Sequence, residues 1–429
     1  MFRLLFRSWR GALRCLTAML ATVSLPVAAS EGLTFAQALA IAQQQSPVLQ
    51  AELSRAEAAL HGEGPADALP DPTLILGLDN VPVEGDARYS LSGEPMTMQR
   101  IGISQRFPNR GKRQALAEGA HARTAAAQAR VDSMRLLVMR ETAGAWIDRY
   151  SLLRQREVID ALIEENALFE AAVLARLAGG RGRAADSVEP RREAARLADR
   201  RDAVAARLHQ AEASLVRWLG DAGHQPPAGD PPDPELDIEH IVANLHQHPE
   251  LEEATRRTQL ADATLAAARA GKKPDWSLTL AYMNREDFSD MAMLQVNIDL
   301  PLFNGTRQGP RIAAAQAERQ AWQANAEAVR RDHEAMLQAE IAEYRRLARA
   351  LARQRDTLLP LAEEKVALVT AAWESGELAL ADVIKARSEL LDAQLADISL
   401  HAQFARQATD LRFRHLPAEA TREDNRHDD

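Results

Sequence analysis

The two halves of the sequence repeat one pattern, and this duplication constrains the fold more than any other feature. The stretch MTMQRIGISQRFPNRGKR at 96–113 aligns without a gap to MAMLQVNIDLPLFNGTRQ at 291–308. Ser46-Pro47-Val48-Leu49 has a counterpart in His248-Pro249-Glu250-Leu251. A Gly…Asp pair also recurs, at 180 and 186 and again at 376 and 382. Because these landmarks keep their order, we infer a tandem duplication.

The duplication predicts two units, one at 30–219 and one at 238–416. A stretch rich in Pro, Gly and Asp at 220–237 has the composition of a linker between them. The tail at 417–429 is polar and charged, so we expect it to be disordered.

Each unit predicts the same order of elements. A first helix is expected at 34–60 and again at 238–270. Two stretches of period-two alternation follow in each unit and predict strands with one apolar face, near 73–79, 98–106, 277–283 and 293–300. Long segments rich in Ala, Arg, Glu and Leu come next, and this composition favours helix.

The longest helix is predicted from about 112 to 178 and would measure about 100 Å. Apolar residues recur along it at helical spacing, namely Ile159, Leu162, Phe169, Val173 and Leu177. A heptad seam is formed in the second unit by Leu359, Ala362, Val366, Val369 and Trp373. Such helices need neighbours from their own chain and from other copies. Pro360 is expected to kink or interrupt the second long helix.

The first 29 residues have the order of a secretory signal peptide. A positive region comes first, formed by Arg3, Arg7, Arg10 and Arg14. The uncharged stretch 15–27 follows, and Ala29 ends a small-residue cleavage site. The single cysteine, Cys15, lies in this leader directly after Arg14, so we do not expect it to be lipidated.

Composition narrows the class of protein further. The chain is acidic, with a formal net charge of −9, which argues against a nucleic-acid partner. After residue 30 there is no apolar run of about 18 residues, so no transmembrane helix is predicted. Any membrane part would therefore be a closed sheet. Aromatic residues, at 4%, are too few for a chain that is barrel throughout.

Four strands per chain cannot close a barrel, whereas three copies would supply twelve. The predicted fold is therefore mainly α with a small β part. Long helical hairpins, duplicated in tandem, would form an α-barrel, and four strands per chain would contribute to a 12-stranded transmembrane β-barrel in a homotrimer.

The repeated order of helix, two strands, long helix, Gly…Asp turn and returning helix resembles the TolC outer-membrane factor family. The resemblance covers about 33–416 and is carried by FPNRGKR (107–113), NIDLPLFN (297–304) and the two turns. LPLFN and the PNRGKR stretch are similar to the branch that serves heavy-metal pumps of the resistance–nodulation–division type.

The resemblance implies an outer-membrane channel with a long periplasmic extension. The strands would span the outer membrane, and the helices would form a periplasmic tunnel. Besides the homotrimer, the implied partners are a periplasmic adaptor (membrane fusion) protein and an inner-membrane resistance–nodulation–division pump. The pump would supply the energy and the channel would only open and close, so no enzymatic activity is expected.

The same resemblance makes the helical tips the candidate sites for adaptor contact or gating. The candidate residues are Arg176, Leu177, Gly180, Asp186, Trp373, Gly376, Asp382 and Lys385. Well-known drug-efflux members carry an acidic residue where this chain has Lys385, and an Arg where it has Leu378. Asp382 could still form a single acidic ring around a threefold axis. Asp186 and Asp382 can also cap the returning helices.

Two groups of potential metal ligands, methionines and histidines, are interpreted as residues that do not bind metal. Soft thioethers suit Cu(I) or Ag(I), and methionines occur in matching pairs at Met96, Met98, Met291 and Met293. We interpret them as hydrophobes that face lipid or fill gaps. The histidine group His240, His246 and His248 is interpreted as polar surface. No metal site, cofactor or catalytic residue is predicted, because phosphate-loop, GxSxG, HExxH and cysteine-nucleophile signatures are missing.

The leading hypothesis is therefore a passive exit duct, with heavy-metal cations preferred as substrate because of the branch resemblance. Within the class, a drug-efflux or type I secretion channel is the alternative. A periplasmic coiled-coil adaptor or scaffold is the alternative from another class, and the paired strands argue against it.

Overall fold

The computed structural model describes residues 32–180 and 183–415. The predicted signal peptide and the predicted disordered tail lie outside the described residues.

The first half of the chain has short helices and strands, then two long helices in succession and a final short strand. Its elements are strand β1 (Leu33–Thr34), helices α1 (Phe35–Gln45), α2 (Pro47–His61) and α3 (Glu63–Asp67), strands β2 (Thr73–Asp79) and β3 (Met98–Phe107), helices α4 (Arg110–Ala178) and α5 (Val188–Leu219), and strand β4 (Pro227–Ala228).

The second half follows the same plan. Its elements are helices α6 (Ile238–Asn244) and α7 (Pro249–Ala270), strands β5 (Trp276–Asn284) and β6 (Met291–Ile298), and helices α8 (Gly309–Arg353), α9 (Leu359–Glu374) and α10 (Leu380–His415).

The predicted mainly helical fold with four longer strands is confirmed. The four strands form one antiparallel sheet in the order β2-β3-β5-β6. Its central pairing, β3 with β5, joins the two halves of the chain and runs from Gln99 opposite Asn284 to Phe107 opposite Trp276. The short strands β1 and β4 form a separate parallel pair that the sequence did not predict.

Two prolines divide helices that were predicted to be continuous. Pro47 and Pro249 stand at the first position of α2 and α7, so the segments 34–60 and 238–270 each contain a break. Proline lacks an N–H, and its ring clashes with the preceding helical turn, so a new helix starts there. The prediction of single helices was wrong in this detail. The interruption predicted near Pro360 is confirmed, since a π-helical turn at Gln354–Leu358 separates α8 from α9.

Helix α4 is the longest of the described helices. It has 69 residues and therefore measures about 100 Å. It packs against α5, α7 and α10. Near its middle, Trp146 is fully buried and its Nε1 donates a hydrogen bond to the Leu33 carbonyl oxygen (2.9 Å). Further along, Ile159 is buried against Leu197 and Leu391, so the predicted apolar seam does face neighbouring helices.

Within the described ranges, no helix is both long enough and apolar enough to cross a bilayer.

Candidate functional site

The described residues of the two predicted tips share a glycine with left-handed backbone and a capping aspartate. Gly180 follows α4 with a φ of +74°, and Gly376 follows α9 with a φ of +86°. Left-handed backbone of this kind favours glycine. Asp186 accepts a hydrogen bond from the backbone N–H of Arg183 (3.0 Å), and Asp382 accepts one from that of Ala379 (3.2 Å). Both aspartates therefore cap the start of the returning segment.

The structure brings residues of the two tips into direct contact. The Arg176 guanidinium lies 4.4 Å from the centre of the Trp373 ring, and Trp373 packs on Phe169 with ring centroids 5.5 Å apart. Both rings belong to one apolar cluster at the tips, formed by Phe169, Val173, Leu177, Trp373, Leu380 and Ile384. The predicted residues Arg176, Leu177 and Trp373 thus form one surface shared by both hairpins.

The remaining candidates at the second tip lie on its solvent side. Asp382 and Lys385 are both exposed, and so is Leu378. Lys385 is one turn before Glu389, whose carboxylate pairs with Lys365 and has a lowered pKa because of that hydrogen bond. A basic side chain therefore occupies the exposed helical turn after Asp382.

The four-stranded sheet has one apolar and one polar face. Side chains alternate between the faces along each strand, so the register fixes the rows. On the apolar face Leu74, Ile103, Leu280 and Leu294 form one row across all four strands. Every member of this row is exposed, Leu294 by 68%. An apolar face left open to this extent marks contact with lipid or with another protein.

The opposite face carries charges and hydrogen-bonding groups. Arg100 on β3 pairs with Asp79 on β2, with 3.2 Å between Nη2 and Oδ1. Beside them, the Thr279 hydroxyl donates a hydrogen bond to the Ser104 hydroxyl (2.9 Å). The sheet therefore presents lipid-compatible side chains on one side and water-compatible side chains on the other.

The methionines that lie on strands are on the polar face of the sheet. Met98, Met291 and Met293 share a face with Arg100, opposite the apolar row, and Met96 precedes β3. The three methionines on strands therefore lie outside the apolar row, and the interpretation of all four as hydrophobes that face lipid or fill gaps stays a prediction.

Asp275, just before β5, connects the sheet to helix α4 at what we call the junction. Its carboxylate accepts hydrogen bonds from the Asn109 backbone N–H (2.8 Å) and from Lys112 Nζ (3.2 Å). Arg106 reaches both Asp275 (3.2 Å) and Asp299 (3.1 Å). The motif FPNRGKR thus contacts the buried carboxylate directly through Asn109 and Lys112, whereas NIDLPLFN reaches the junction through Asp299, which pairs with Arg106. Asn109 also caps α4 by accepting a hydrogen bond from the Lys112 backbone N–H.

The charge of Asp275 is maintained by these donors. Burial alone would raise the pKa of its carboxyl, but the hydrogen bonds from Asn109 and Lys112 outweigh burial and hold the pKa below its ordinary value. Asp275 was not among the predicted site residues. The sequence signal that could have pointed to an acidic residue here is the basic motif FPNRGKR, because its cations need an acidic partner.

The histidines also differ from the prediction. His240 and His246 are exposed, but His248 is only 3% exposed and packs against the ring of His333. The interpretation of the whole group as polar surface is therefore wrong for His248. Its position before Pro249, at the N-terminus of α7, turns it inward.

Residues 241–413 match the family model described as outer membrane efflux protein. No curated protein matches the chain.

Three solved structures share the fold. A membrane protein from Pseudomonas aeruginosa has a TM-score of 0.78 at 19% identity, covering 88% of this chain and 92% of its own. CusC has a TM-score of 0.77 at 17% identity, covering 90% and 92%. VceC from Vibrio cholerae has a TM-score of 0.71 at 20% identity, covering 89% and 95%. At these identities the likeness establishes the fold.

The family match thus covers the second half of the chain, and the described chain as a whole shares the fold of these solved structures. The prediction that the chain is not an enzyme agrees with this family match.

Proposed function

We propose that three copies of this chain form the outer-membrane channel of a tripartite efflux system. The observation that carries the proposal is the sheet, which has an exposed apolar face and a polar face. Its edge strands, β2 and β6, each have one edge without a partner strand among the described residues. Open edges cannot persist in lipid, where every backbone group needs a partner. Edge-to-edge closure of three sheets gives each edge a partner and surrounds a polar lumen.

The helical part supports a periplasmic extension of the same channel. Helix α4 extends about 100 Å, far beyond the thickness of a bilayer. On α9 the stripe formed by Leu359, Val366 and Val369 is only half-buried. Leu361 and Leu368 on the same helix are exposed. Apolar surface of this kind is available for the helices of neighbouring copies in a trimer.

The tips are the proposed docking surface for a periplasmic adaptor that connects the channel to an inner-membrane pump. Gly180 and Gly376, both with left-handed backbone, follow the ascending helices of the two hairpins. Arg176 is exposed and lies over the half-buried ring of Trp373, and a cation on an aromatic ring is common at the centre of protein interfaces.

Heavy-metal cations are the proposed substrate, and a resistance–nodulation–division pump is the proposed source. The support is the resemblance of LPLFN and PNRGKR to the heavy-metal branch. The test is growth of a deletion strain beside its complemented parent on graded copper, silver, zinc, cobalt, cadmium and several drugs. We expect sensitivity confined to one group of metals. Sensitivity to drugs alone would contradict the substrate while leaving the channel in place, and normal tolerance of every compound would contradict efflux.

The docking role of the tips predicts a specific loss in Trp373→Ala. Removing an interface tryptophan typically costs about 2 kcal/mol of binding free energy, or about thirtyfold in affinity. We expect the variant to reach the outer membrane in normal amount, to bind adaptor weakly and to tolerate toxicant nearly as poorly as the deletion strain.

Trp322→Ala is the matched control, because Trp322 is also half-buried beneath an arginine, with the Arg257 guanidinium 5.4 Å from its ring centre on the body of the helices. It should keep adaptor binding and tolerance near the parental values. Equal loss in both variants would mean that the Trp373 effect is structural rather than a docking effect.

A further inference from the structure

Three imidazoles converge where the second unit folds back on itself. His248 lies at the N-terminus of α7, His333 in the middle of α8 and His415 at the end of α10. They are 3%, 6% and 0% exposed. The ring centroids of His248 and His333 are 4.8 Å apart, and those of His333 and His415 are 6.1 Å apart. Histidine is seldom buried so completely in a group.

Two of the rings are held by carboxylates through the same nitrogen. His333 Nε2 lies 2.7 Å from Glu250 Oε2, and His415 Nε2 lies 2.7 Å from Glu340 Oε2. The Nδ1 atoms of both rings are buried and have no hydrogen-bond partner among the described residues. A buried polar atom without a partner is costly, so each of these nitrogens is a candidate ligand for a bound ion.

Burial and charge favour a cation beside His248 and Glu250. Burial, followed by the neighbouring His333, lowers the pKa of His248 to about 3. The hydrogen bond with His333 lowers the pKa of Glu250. His248 therefore offers a neutral nitrogen and Glu250 an anionic oxygen.

The distances are close to those of a coordination sphere. One donor atom each from His248, Glu250 and His333 lies within 4.8 Å of the other two. Tetrahedral Zn²⁺ with bonds of about 2.1 Å places its donor atoms about 3.4 Å apart. Small side-chain rotations would close the difference. Glu250 is exposed enough to move, and it leaves a solvent-facing position for a water ligand.

We propose that His248, His333 and Glu250 bind one divalent transition-metal ion, Zn²⁺ being the best match, in each protomer. Two imidazoles and one carboxylate are a donor set that zinc commonly uses. His415, held by Glu340, is a third imidazole beside them, with its ring centroid 6.1 Å from that of His333. The ion is a resident of the channel wall that ties α7 to α8, and the proposal does not depend on which substrate the channel exports. It departs from the sequence prediction of no metal site.

Metal binding to the purified full-length protein tests this site. The protein, freed of any histidine tag and stripped with chelator, is titrated with Zn²⁺ in equilibrium dialysis and with Co²⁺ followed by visible absorption. We expect one ion per protomer, an intense tetrahedral Co²⁺ spectrum and a higher unfolding temperature with metal. His248→Gln and Glu250→Gln should each weaken binding by at least about tenfold.

His246→Gln and His240→Gln are the controls, because both histidines are exposed neighbours in the same segment. They should retain the stoichiometry and the spectrum. The proposal is overturned if the parent protein binds no ion in this stoichiometry, or if His248→Gln and Glu250→Gln bind as tightly as the controls. This assay requires neither transport nor a pump, so its failure would leave the proposed efflux function intact.

Discussion

Leu294→Arg is expected to abolish accumulation of the folded protein in the outer membrane, whereas Gln295→Arg next to it should leave accumulation near the parental level. Leu294 lies in the apolar row with Leu280 on the neighbouring strand. Arginine on the lipid face near the bilayer midplane costs about 2–4 kcal/mol, and three copies in a trimer would multiply this to about 6–12 kcal/mol.

Gln295 provides a strict control, because it is the next residue on the same strand and therefore faces the opposite side. Its position opposite Thr279 belongs to the polar face, where a cation can remain hydrated. The measurement is the amount of each variant in isolated outer membranes, with and without heating before electrophoresis. Equal accumulation of both variants, or loss of Gln295→Arg alone, would contradict the assignment of the faces.

The second large effect is expected for Asp275→Ala at the junction. Its carboxylate is 7% exposed and holds Asn109, Lys112 and Arg106. Removing one partner of a buried ionic network typically costs about 3–5 kcal/mol, because the other charges stay behind without compensation. We expect the lower part of this range, about 3 kcal/mol, since both cations are partly exposed.

Asp299→Ala is the matched control for this prediction. Asp299 also contacts Arg106, but its side chain is 67% exposed, so its ion pair should contribute less than about 1 kcal/mol. The denaturant midpoint of the purified protein measures both variants. Destabilisation of similar size in the two variants would show that Asp275 has no special role at the junction.

The sequence predicted the elements whose pattern is local. Period-two alternation located the four longer strands to within two residues, for example 73–79, where the structure has Thr73–Asp79. Ile159 and Val173 marked the buried stripe of α4 because helical spacing records which face is apolar. The breaks at Pro47 and Pro249 were also readable in principle, since proline is favoured at the first position of a helix.

The unpredicted features depend on contacts between distant parts of the chain. Asp275 meets Asn109 across 166 residues, and His333 meets Glu250 across 83. Nothing in the local sequence around either acid specifies the partner. The same holds for Arg176 and Trp373, which were predicted separately at two tips and which only the fold brings within 4.4 Å. A buried histidine such as His248 has the local pattern of an exposed one, because burial is decided by the helices packed over it.

The central claim is that three copies of this chain close into one channel whose apolar strand face meets lipid. Single-particle imaging of the full-length protein in lipid nanodiscs tests it most directly. We expect a threefold particle with twelve strands inside the disc, with Leu294 at the lipid boundary and Arg100 facing the lumen, and helices extending about 100 Å to one side. A particle with another number of copies, or with the sheet outside the lipid, would contradict it.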